Sequence, residues 1–388
     1  GFPDLLLGSG GYHDYTSQDQ SLKDRLYLND GQGVLIPQTD FPSLPISTGA
    51  IIPLDLDLDG DLDLFVAGKI LPGRYPEFPE SKVLFNQGQG KFTDETGEWL
   101  PDPKIGMISG GVSQDVNRDG KPDLILVGEY MAPTVLINTG TCFQVDDSYF
   151  EAGLSGWWNT LIQTDLDGDG DMDLVAGNYG LNSPFQVNSD KEIRLFAADF
   201  DQNGSIDPIL ECFIGDGFYP FASRDELLGQ LVSMRSKFTD YASYSKAKIS
   251  DLFSMDELTK AQQLSAKTLE TTIFLNTESG FKSASLPRDA QAFPVYAIHA
   301  ADINQDGTID LILGGNQSQT RIRIGKIDAG LGLVLLGDGK GNFRPLSPQE
   351  SGLAIKGDIK SILHIHSKGN DYLIFGINQQ PVQLFKIK

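Results

Sequence analysis

One acidic motif of nine residues occurs five times along the chain, and it constrains the fold more than any other feature. Each copy has Asp at positions 1 and 9, Asp or Asn at positions 3 and 5, and glycine at position 6, and an apolar run follows. Four oxygen-bearing side chains this close together repel one another unless a cation holds them. We therefore predict that every copy binds a hard cation, Ca²⁺ first, and that the glycine supplies the backbone angles of the turn.

The predicted ligands are the side chains of positions 1, 3, 5 and 9 and the backbone carbonyl of position 7, where the residue types are mixed. In chain order, positions 1, 3, 5, 7 and 9 of the five loops are Asp55, Asp57, Asp59, Asp61 and Asp63; Asp115, Asn117, Asp119, Lys121 and Asp123; Asp165, Asp167, Asp169, Asp171 and Asp173; Asp199, Asp201, Asn203, Ser205 and Asp207; and Asp302, Asn304, Asp306, Thr308 and Asp310.

An EF-hand is the first alternative, since its loop shares the same first half. That loop needs Glu at position 12, whereas position 12 here is Val66, Leu126, Ala176, Leu210 or Leu313. The apolar run after position 9 is too short for a helix and is typical of a buried strand. Ordinary Asp/Gly turns would explain one such copy, but not five in register. The motif therefore predicts a metal loop that leads into a strand.

A second signature follows most copies and predicts a hairpin. It is an aliphatic strand, then Asn or Gly with a further Gly, then a strand that begins with Phe, as in Val83–Phe92 and Val334–Phe343. Each unit then reads as strand A, metal loop, strand B, strand C, hairpin and strand D, which is typical of a propeller blade. A partial copy at Gly1–Gly8 and a degenerate copy near His364 bring the count to seven. We predict an all-β, seven-bladed β-propeller of four-stranded antiparallel blades, as a single domain over residues 1–388.

The two end copies carry further expectations. Because Gly1–Gly8 matches the template from position 6 onward, we expect a segment of a longer chain with other domains, and we expect Asp4–Leu7 beside Ile359–Phe375. In the last copy His364, His366 and Lys368 replace the ligands, so we expect no Ca²⁺ there. Paired histidines suggest zinc, but the sequence shows no third ligand, and alternating strand residues are favoured.

A small helical insertion is predicted near residues 222–266. Residues 225–228, 248–253 and 255–264 show helical spacing, and Ser223 and Ser254 are candidate N-caps with acidic residues close behind. We expect two or three short helices from the fourth or fifth blade.

The two signatures together resemble the FG-GAP/VCBS repeat of integrin-α-like propellers. Longer stretches, such as Gly156–Asn159 and Tyr219–Leu228, resemble large secreted VCBS-repeat proteins of Bacteroidetes-type bacteria. The resemblance implies calcium at the A–B loops and an extracellular or bacterial cell-surface location. It implies no established activity.

Composition narrows the partners. Acidic residues outnumber basic ones by 53 to 30, and the net charge of −23 disfavours nucleic acid and anionic membranes as partners. No apolar run approaches the roughly 18 residues of a membrane span. Cys142 and Cys212 permit one disulfide or two free thiols.

The long connections are mostly between strands B and C, on the face opposite the metal loops, and long loops on a rigid scaffold are where ligands commonly bind. The alternative is that these side chains pack on one another, and burial in the core is the alternative for the two tryptophans. The candidate residues for a glycan or protein ligand are Tyr12, Arg74, Tyr75, Trp157, Trp158, Tyr179, Asn182, Arg224, Arg321 and Arg323.

We therefore expect a non-catalytic, calcium-binding module that presents a loop face for binding or adhesion. A propeller-type polysaccharide lyase or hydrolase is one alternative, although no G-x-S-x-G or zinc motif is present. A structural spacer in a larger surface protein is the other.

Overall fold

The computed structural model describes residues 2–12, 15–17, 19–43 and 45–387. Within this part of the chain, strands dominate, helices are few and short, and the strands form seven sheets with antiparallel neighbours. The chain is therefore all-β, as predicted.

The strands, in chain order, are β1 (Leu5–Leu7), β2 (Arg25–Asn29), β3 (Leu35–Pro37), β4 (Ser47–Leu54), β5 (Asp63–Ile70), β6 (Lys82–Asn86), β7 (Phe92–Asp94), β8 (Met107–Gln114), β9 (Asp123–Met131), β10 (Thr134–Asn138), β11 (Phe143–Asp146), β12 (Gly156–Trp157), β13 (Thr160–Thr164), β14 (Asp173–Gly177), β15 (Ile193–Ala198), β16 (Asp207–Ile214), β17 (Gly217–Pro220), β18 (Gln262–Ala266), β19 (Thr272–Thr277), β20 (Gly280–Ser285), β21 (Val295–Ala301), β22 (Asp310–Gly315), β23 (Leu333–Gly337), β24 (Phe343–Pro345), β25 (Ile359–Ser367), β26 (Asn370–Ile377) and β27 (Gln383–Lys386).

The helices are α1 (Thr96–Trp99), α2 (Arg224–Gln230), α3 (Tyr241–Tyr244), α4 (Ile249–Leu252), α5 (Met255–Lys260) and α6 (Pro348–Ser351), with single 3₁₀ turns at Gln20–Leu22, Asp147–Tyr149, Val232–Ser236 and Arg288–Gln291.

Three repeats form sheets in the expected order of strands A, B, C and D. They are β4-β5-β6-β7, then β8 to β11 with β12 added beside β9, and β21-β22-β23-β24. The first sheet, β1-β2-β3, and the last, β25-β26-β27, have three strands each. After the Asp55, Asp115, Asp165 and Asp302 loops the apolar run is a buried strand, as in Leu124–Val127. The predicted unit of loop, strand B and hairpin is therefore confirmed.

The fourth repeat departs from the expected order. Strands β13 and β14 flank the Asp165 loop, but β14 takes β19 as its next neighbour, so residues 178–271 form an insertion between strands B and C. The Asp199 loop lies within that insertion, in a sheet of order β17-β16-β15-β18. The expectation that the Asp199 copy begins a unit of the standard order is wrong, because β18 pairs along the edge of β15 and a tight hairpin joins β16 to β17.

By its contacts the chain divides into two compact units. The first comprises Gly1–Ile108, Asn138–Phe143 and Phe185–Thr268, and the second comprises Ser109–Ile137, Gln144–Pro184 and Leu269–Lys388. Within the second unit β13 packs on β21, and β21 packs on β25. First strands of successive repeat sheets therefore lie side by side there, and the Asp165 sheet is followed directly by the Asp302 sheet. A single domain over residues 1–388, and contact between the two ends of the chain, stay predictions.

The helical insertion is confirmed where the spacing predicted it. Ser223 and Ser254 are the N-caps of α2 and α5, and each forms a reciprocal capping box with the Glu three residues later. Their buried faces pack in a cluster that includes Leu227, Phe238 and Phe253. The short helix α3 and the 3₁₀ turn at Val232–Ser236 were not predicted.

Glycine at one strand position permits a close backbone contact within the first unit. A Cβ on Gly49 of β4 would overlap the backbone oxygen of Ile108. Because backbone atoms cannot move aside as a flexible side chain can, a larger residue at position 49 forces the backbone at these two positions apart.

We expect Gly49→Ala to lower the free energy of unfolding by about 1–3 kcal/mol through overpacking. Urea denaturation measures the change. Gly97→Ala is the matched control, since a Cβ on this exposed helical residue meets no atom within 4 Å, and it should be neutral or slightly stabilising. Equal stability of Gly49→Ala and wild type would show that the strand contact is loose.

Candidate functional site

The acidic loops share one backbone conformation that the sequence did not reveal. In addition to the glycine at position 6, the residue at position 4 has a positive φ, as for Leu58 at 62° and Arg118 at 60°. Gln202 and Gln305 also have a positive φ, and only the Asp165 loop places a glycine, Gly168, at this position. A non-glycine residue in the left-handed region costs on the order of 1 kcal/mol. The loop must therefore be held by its side chains or by a ligand.

The side chains at positions 1, 3 and 5 hold the turn through backbone N–H groups. In the first loop Asp55 accepts from the N–H groups of Asp59 and Gly60, both at 3.1 Å. Asp57 accepts from Asp59 at 3.2 Å, and Asp59 accepts from Asp61 at 2.8 Å. The bonds to the glycine and to position 7 recur in the other four loops. These bonds direct the carboxylates toward the inside of the turn.

Position 9 connects the loop to strand C. Asp63 is buried, and its Oδ2 accepts from the N–H of Leu56 at 3.0 Å while its Oδ1 accepts from the N–H of Asn86 at 2.8 Å. The Asn86 side chain also donates to the carbonyl of Leu62. Asp173 and Asn276 repeat the arrangement. The Asn of the second signature therefore joins strand C to the acidic loop.

The same bonds identify the register of the first residues. Asn29 donates its backbone N–H to Asp4 at 2.8 Å and its side-chain N–H to the carbonyl of Pro3 at 3.1 Å. Asp4 therefore occupies position 9 of the motif and Pro3 occupies position 8. This confirms the prediction that the first residues match the motif from position 6 onward.

Three loops bring three carboxylates together. Oxygens of positions 1, 3 and 9 lie within 4.8 Å of one another in the sets Asp55, Asp57 and Asp63; Asp165, Asp167 and Asp173; and Asp199, Asp201 and Asp207. The position-5 side chains lie outside these sets. In the other two loops Asn117 and Asn304 supply an amide at position 3. At position 7, the Lys121 side chain forms a surface ion pair with Asp119, and the Asp171 side chain forms one with Arg118. The backbone carbonyl of position 7 therefore remains the predicted contact to the ion.

The electrostatics of the clusters favour a positive ion. Burial raises the pKa of Asp63, and the nearby carboxylates of Asp57 and Asp59 raise this pKa further. Burial is also the first cause of the raised pKa of Asp173, Asp207 and Asp310. In these loops oxygen donors converge, their negative charges repel one another, and in the insertion one buried acceptor, Asp201 Oδ1, has no hydrogen-bond partner among the described residues. Such an arrangement fits a hard divalent cation.

A different set of side chains lies at the other ends of the strands. The Trp157 ring makes edge contacts with Tyr130 and Tyr179, with centroids 5.7 and 5.1 Å apart. Trp157 pairs in register with Glu129 at the far end of β9 from the acidic loop. Burial raises the pKa of Tyr179 to about 12. The structure thus brings together two of the predicted ligand residues, Trp157 and Tyr179.

A second aromatic position lies close to this cluster. Tyr296 donates its hydroxyl to Gln317 at 3.1 Å, and the Lys360 ammonium lies over its ring. The pKa of Tyr296 is raised first by burial and then by the negative charges of Tyr179 and Glu129. Sequence reasoning missed Tyr130, Tyr296 and Lys360, because each lies inside a strand.

The remaining ligand candidates lie elsewhere. Trp158 is in the core, which fits the buried alternative. Arg74 is paired with Glu77, which raises the Arg74 pKa, and Asn182 donates to the carbonyl of Ala292. Arg321 and Arg323 are exposed. Tyr12 and Tyr75 are partly buried in connecting segments, and burial raises the pKa of Tyr12.

Arg224 has a structural role and also lines a cavity. Its guanidinium donates to the carbonyls of Phe238 and Thr239 at 3.0 and 3.2 Å. A surface cavity of about 340 Å³ is lined by Arg224, Asp225, Leu228, Gly229 and Arg235.

Residues 115–176 match the FG-GAP-like repeat family. The match spans β9 to β13 and most of β14, with the Asp115 and Asp165 loops. It therefore begins after strand A of one repeat (β8) and ends within strand B of the next (β14). No curated protein matches the chain significantly.

Two further findings concern the described residues. None of their helices is long and apolar enough to cross a membrane. No disulfide joins Cys142 to Cys212, and Cys212 is buried.

The raised pKa of the buried position-9 carboxylates makes the stability of the metal-free protein depend on pH. Because the pKa of Asp173 is higher in the folded protein than in the unfolded chain, the protonated carboxyl stabilises the fold. This stabilisation is complete at a pH below the Asp173 pKa in the unfolded chain, and it is lost as the pH rises through the Asp173 pKa in the folded protein. We therefore expect wild type to gain stability relative to Asp173→Asn when pH falls from 7 toward 4, as measured by urea unfolding.

Asp119→Asn is the matched control of opposite sign. The hydrogen bond from the Lys121 side chain lowers the pKa of Asp119, so wild type should lose stability relative to this variant over the same pH fall. The same trend for both variants would contradict the assignment of the buried carboxylate.

Proposed function

We propose that the chain is a calcium-stabilised β-propeller of FG-GAP-like repeats that presents the strand ends opposite its calcium loops for binding. The observation that carries the calcium assignment is the convergence of the carboxylates of positions 1, 3 and 9 within 4.8 Å in three loops. Ca²⁺ accepts six to eight oxygen ligands in flexible geometry, which suits carboxylates, amides and a backbone carbonyl together.

The proposed ions are structural. Each would neutralise a group of carboxylates whose mutual repulsion opposes the loop, and each would offset the left-handed conformation at position 4. An ion that binds only the folded state stabilises it by RT ln(1 + [Ca]/Kd). With extracellular-type affinities, each loop would contribute about 1 kcal/mol at millimolar calcium, and five loops several times that.

We expect millimolar Ca²⁺ to raise the thermal unfolding midpoint markedly, and Asp167→Ala to remove part of that increase because one ligand is lost. Scanning calorimetry in calcium and in chelator measures both. Asp167→Asn should restore most of the effect, since two other loops carry Asn at this position.

Asp328→Ala, an exposed residue outside the loops, controls for the loss of one negative charge. An unfolding midpoint that is the same in calcium and in chelator would refute structural calcium. An equal effect of Asp167→Ala and Asp328→Ala would point to general charge screening instead.

The ring itself is also part of the proposal. Support comes from the FG-GAP-like match, the strand order of the repeat sheets and the side-by-side first strands of the second unit. Six sheets follow the chain order of the repeats, and the seventh is the inserted sheet. A seven-bladed ring therefore requires the inserted sheet to act as a blade, and a six-bladed ring does not. Small-angle scattering compared with rings of each count distinguishes them.

For binding, the cluster of Tyr130, Trp157 and Tyr179 is the favoured surface. Trp157 and Tyr179 remain partly exposed, and an aromatic face with polar neighbours suits the apolar face of a sugar ring or a protein side chain. Ser155 and Asn159 each lie two residues from Trp157 in the sequence. The Oγ of Ser155 and the Nδ2 of Asn159 are buried and have no hydrogen-bond partner among the described residues. Because both atoms are buried, they would contact a ligand only if the side chains around Trp157 rearranged on binding. An extracellular or cell-surface location, and a role in adhesion, belong to the same proposal.

We expect glycans that bind the wild-type protein on an array to bind Trp157→Ala at least tenfold more weakly, because an anchoring aromatic commonly contributes 2 kcal/mol or more, roughly, to an interface. Circular dichroism verifies folding. Tyr219→Ala, which changes a partly exposed tyrosine on a different hairpin, should bind as wild type. Binding unaffected by Trp157→Ala would place the ligand elsewhere, and hydrolysis of any array sugar would favour the enzyme alternative.

A further inference from the structure

The last repeat carries a cluster of nitrogen donors where the other repeats carry oxygen donors. His364 and His366 lie two residues apart on β25, so their side chains share one face of the strand. Asp371 lies opposite His366 on β26. We call His299, His364, His366 and Asp371 the His/Asp cluster.

Asp371 supplies the ligand that the sequence did not show. Its Oδ1 lies 3.1 Å from His364 Nε2 and 3.0 Å from His366 Nδ1. Two ligand atoms of one tetrahedral zinc ion lie about 3.3 Å apart, given bonds of about 2.0–2.1 Å. The carboxylate is thus hydrogen-bonded to both imidazoles, at distances close to the spacing of two zinc ligands. A tight turn with Lys368 and Gly369 at positive φ fixes the register of the two strands.

A third imidazole comes from the neighbouring sheet. His299 on β21 has its ring centroid 5.5 Å from that of His364, and two imidazoles on one tetrahedral ion have centroids about 5.3 Å apart. His299 Nε2 is buried and has no hydrogen-bond partner among the described residues. Burial, followed by the charge of His364, lowers the pKa of His299, which favours the neutral form that binds metal.

We propose that the His/Asp cluster is a binding site for a divalent transition metal, Zn²⁺ first, held by His364, His366 and Asp371 with His299 as the fourth donor. Imidazole nitrogen with one carboxylate is a zinc-type donor set, whereas Ca²⁺ takes oxygen. The ion replaces the hydrogen bonds around Asp371 by coordination and draws the histidine nitrogens toward one another. The side chains of His364, His366 and Asp371 are 34, 65 and 43% exposed, so an ion enters from solvent without opening the sheet.

Visible absorption of Co²⁺ tests the site, because tetrahedral coordination by nitrogen gives a stronger signal than hydrated Co²⁺ does. Tag-free protein is kept in millimolar calcium to occupy the acidic loops, Co²⁺ is titrated in, and Zn²⁺ is then added to displace it. We expect one Co²⁺ per chain. His366→Ala and Asp371→Asn should weaken binding by roughly 10–100-fold or more, since even loss of a group that orients a ligand has an effect of that size.

His299→Gln should change the spectrum as well as the affinity if His299 is the fourth donor. Ser367→Ala, at the last residue of β25, and His13→Ala, which removes the remaining histidine of the chain, should bind Co²⁺ as wild type does. Because the His366 side chain is largely exposed, its variant is expected to fold, and urea unfolding in chelator checks this. Wild-type protein without a coordinated Co²⁺ spectrum, a signal that survives His366→Ala and Asp371→Asn, or a signal lost in Asp167→Ala instead would each overturn the proposal.

Discussion

The buried aspartate at position 9 is the group on which each repeat depends. Asp63 joins the second residue of its loop to the first residue after strand C, so one carboxylate positions the turn, strand B and the hairpin together. The same carboxylate lies beside two or more other negative side chains, and burial makes its charge costly. The interaction that assembles the repeat therefore also places a costly negative charge in the fold, which a proton or a bound cation would offset.

This constraint explains why the two sequence signatures occur together. Asn86 donates both its backbone and its side-chain N–H to the loop, and its own Oδ1 accepts from the N–H of Gly88 in the hairpin. Where the Asn is absent, another donor takes its place. Gly337 supplies only a backbone N–H to Asp310, and in the insertion the Gln230 side chain of α2 donates to Asp207. The carboxylate at position 9 remains even where its partner changes.

Features of the fold that depend on neighbouring residues could be predicted from the sequence. The acidic loops, the short buried strands and the capping serines Ser223 and Ser254 all follow from residues within one turn or one strand. Pairings between distant segments could not be predicted in this way. Strand β14 meets β19 across an insertion of some 90 residues, and nothing local in either strand selects the partner, because any apolar strand satisfies its edge. Counting the acidic motifs in the sequence therefore predicts a separate standard unit for the Asp199 loop, whereas the structure places this loop within an insertion.

The same distinction applies to the sites. The oxygen donors of each loop alternate within one nine-residue stretch, so their clustering could be predicted from the sequence. The contact of Trp157 with Tyr130 depends instead on where strands end, and the approach of His299 to His364 depends on how sheets pack. The insertion adds a further connection of this kind. Because Gln230 ends helix α2 and donates to Asp207, a cation at the Asp199 loop would fix the carboxylate that holds this helix. Arg224, at the start of the same helix, lines the 340 Å³ cavity. The Asp199 loop and the cavity are thus joined through one seven-residue helix, and an ion at that loop, as proposed above, would order the cavity wall through the Gln230 contact.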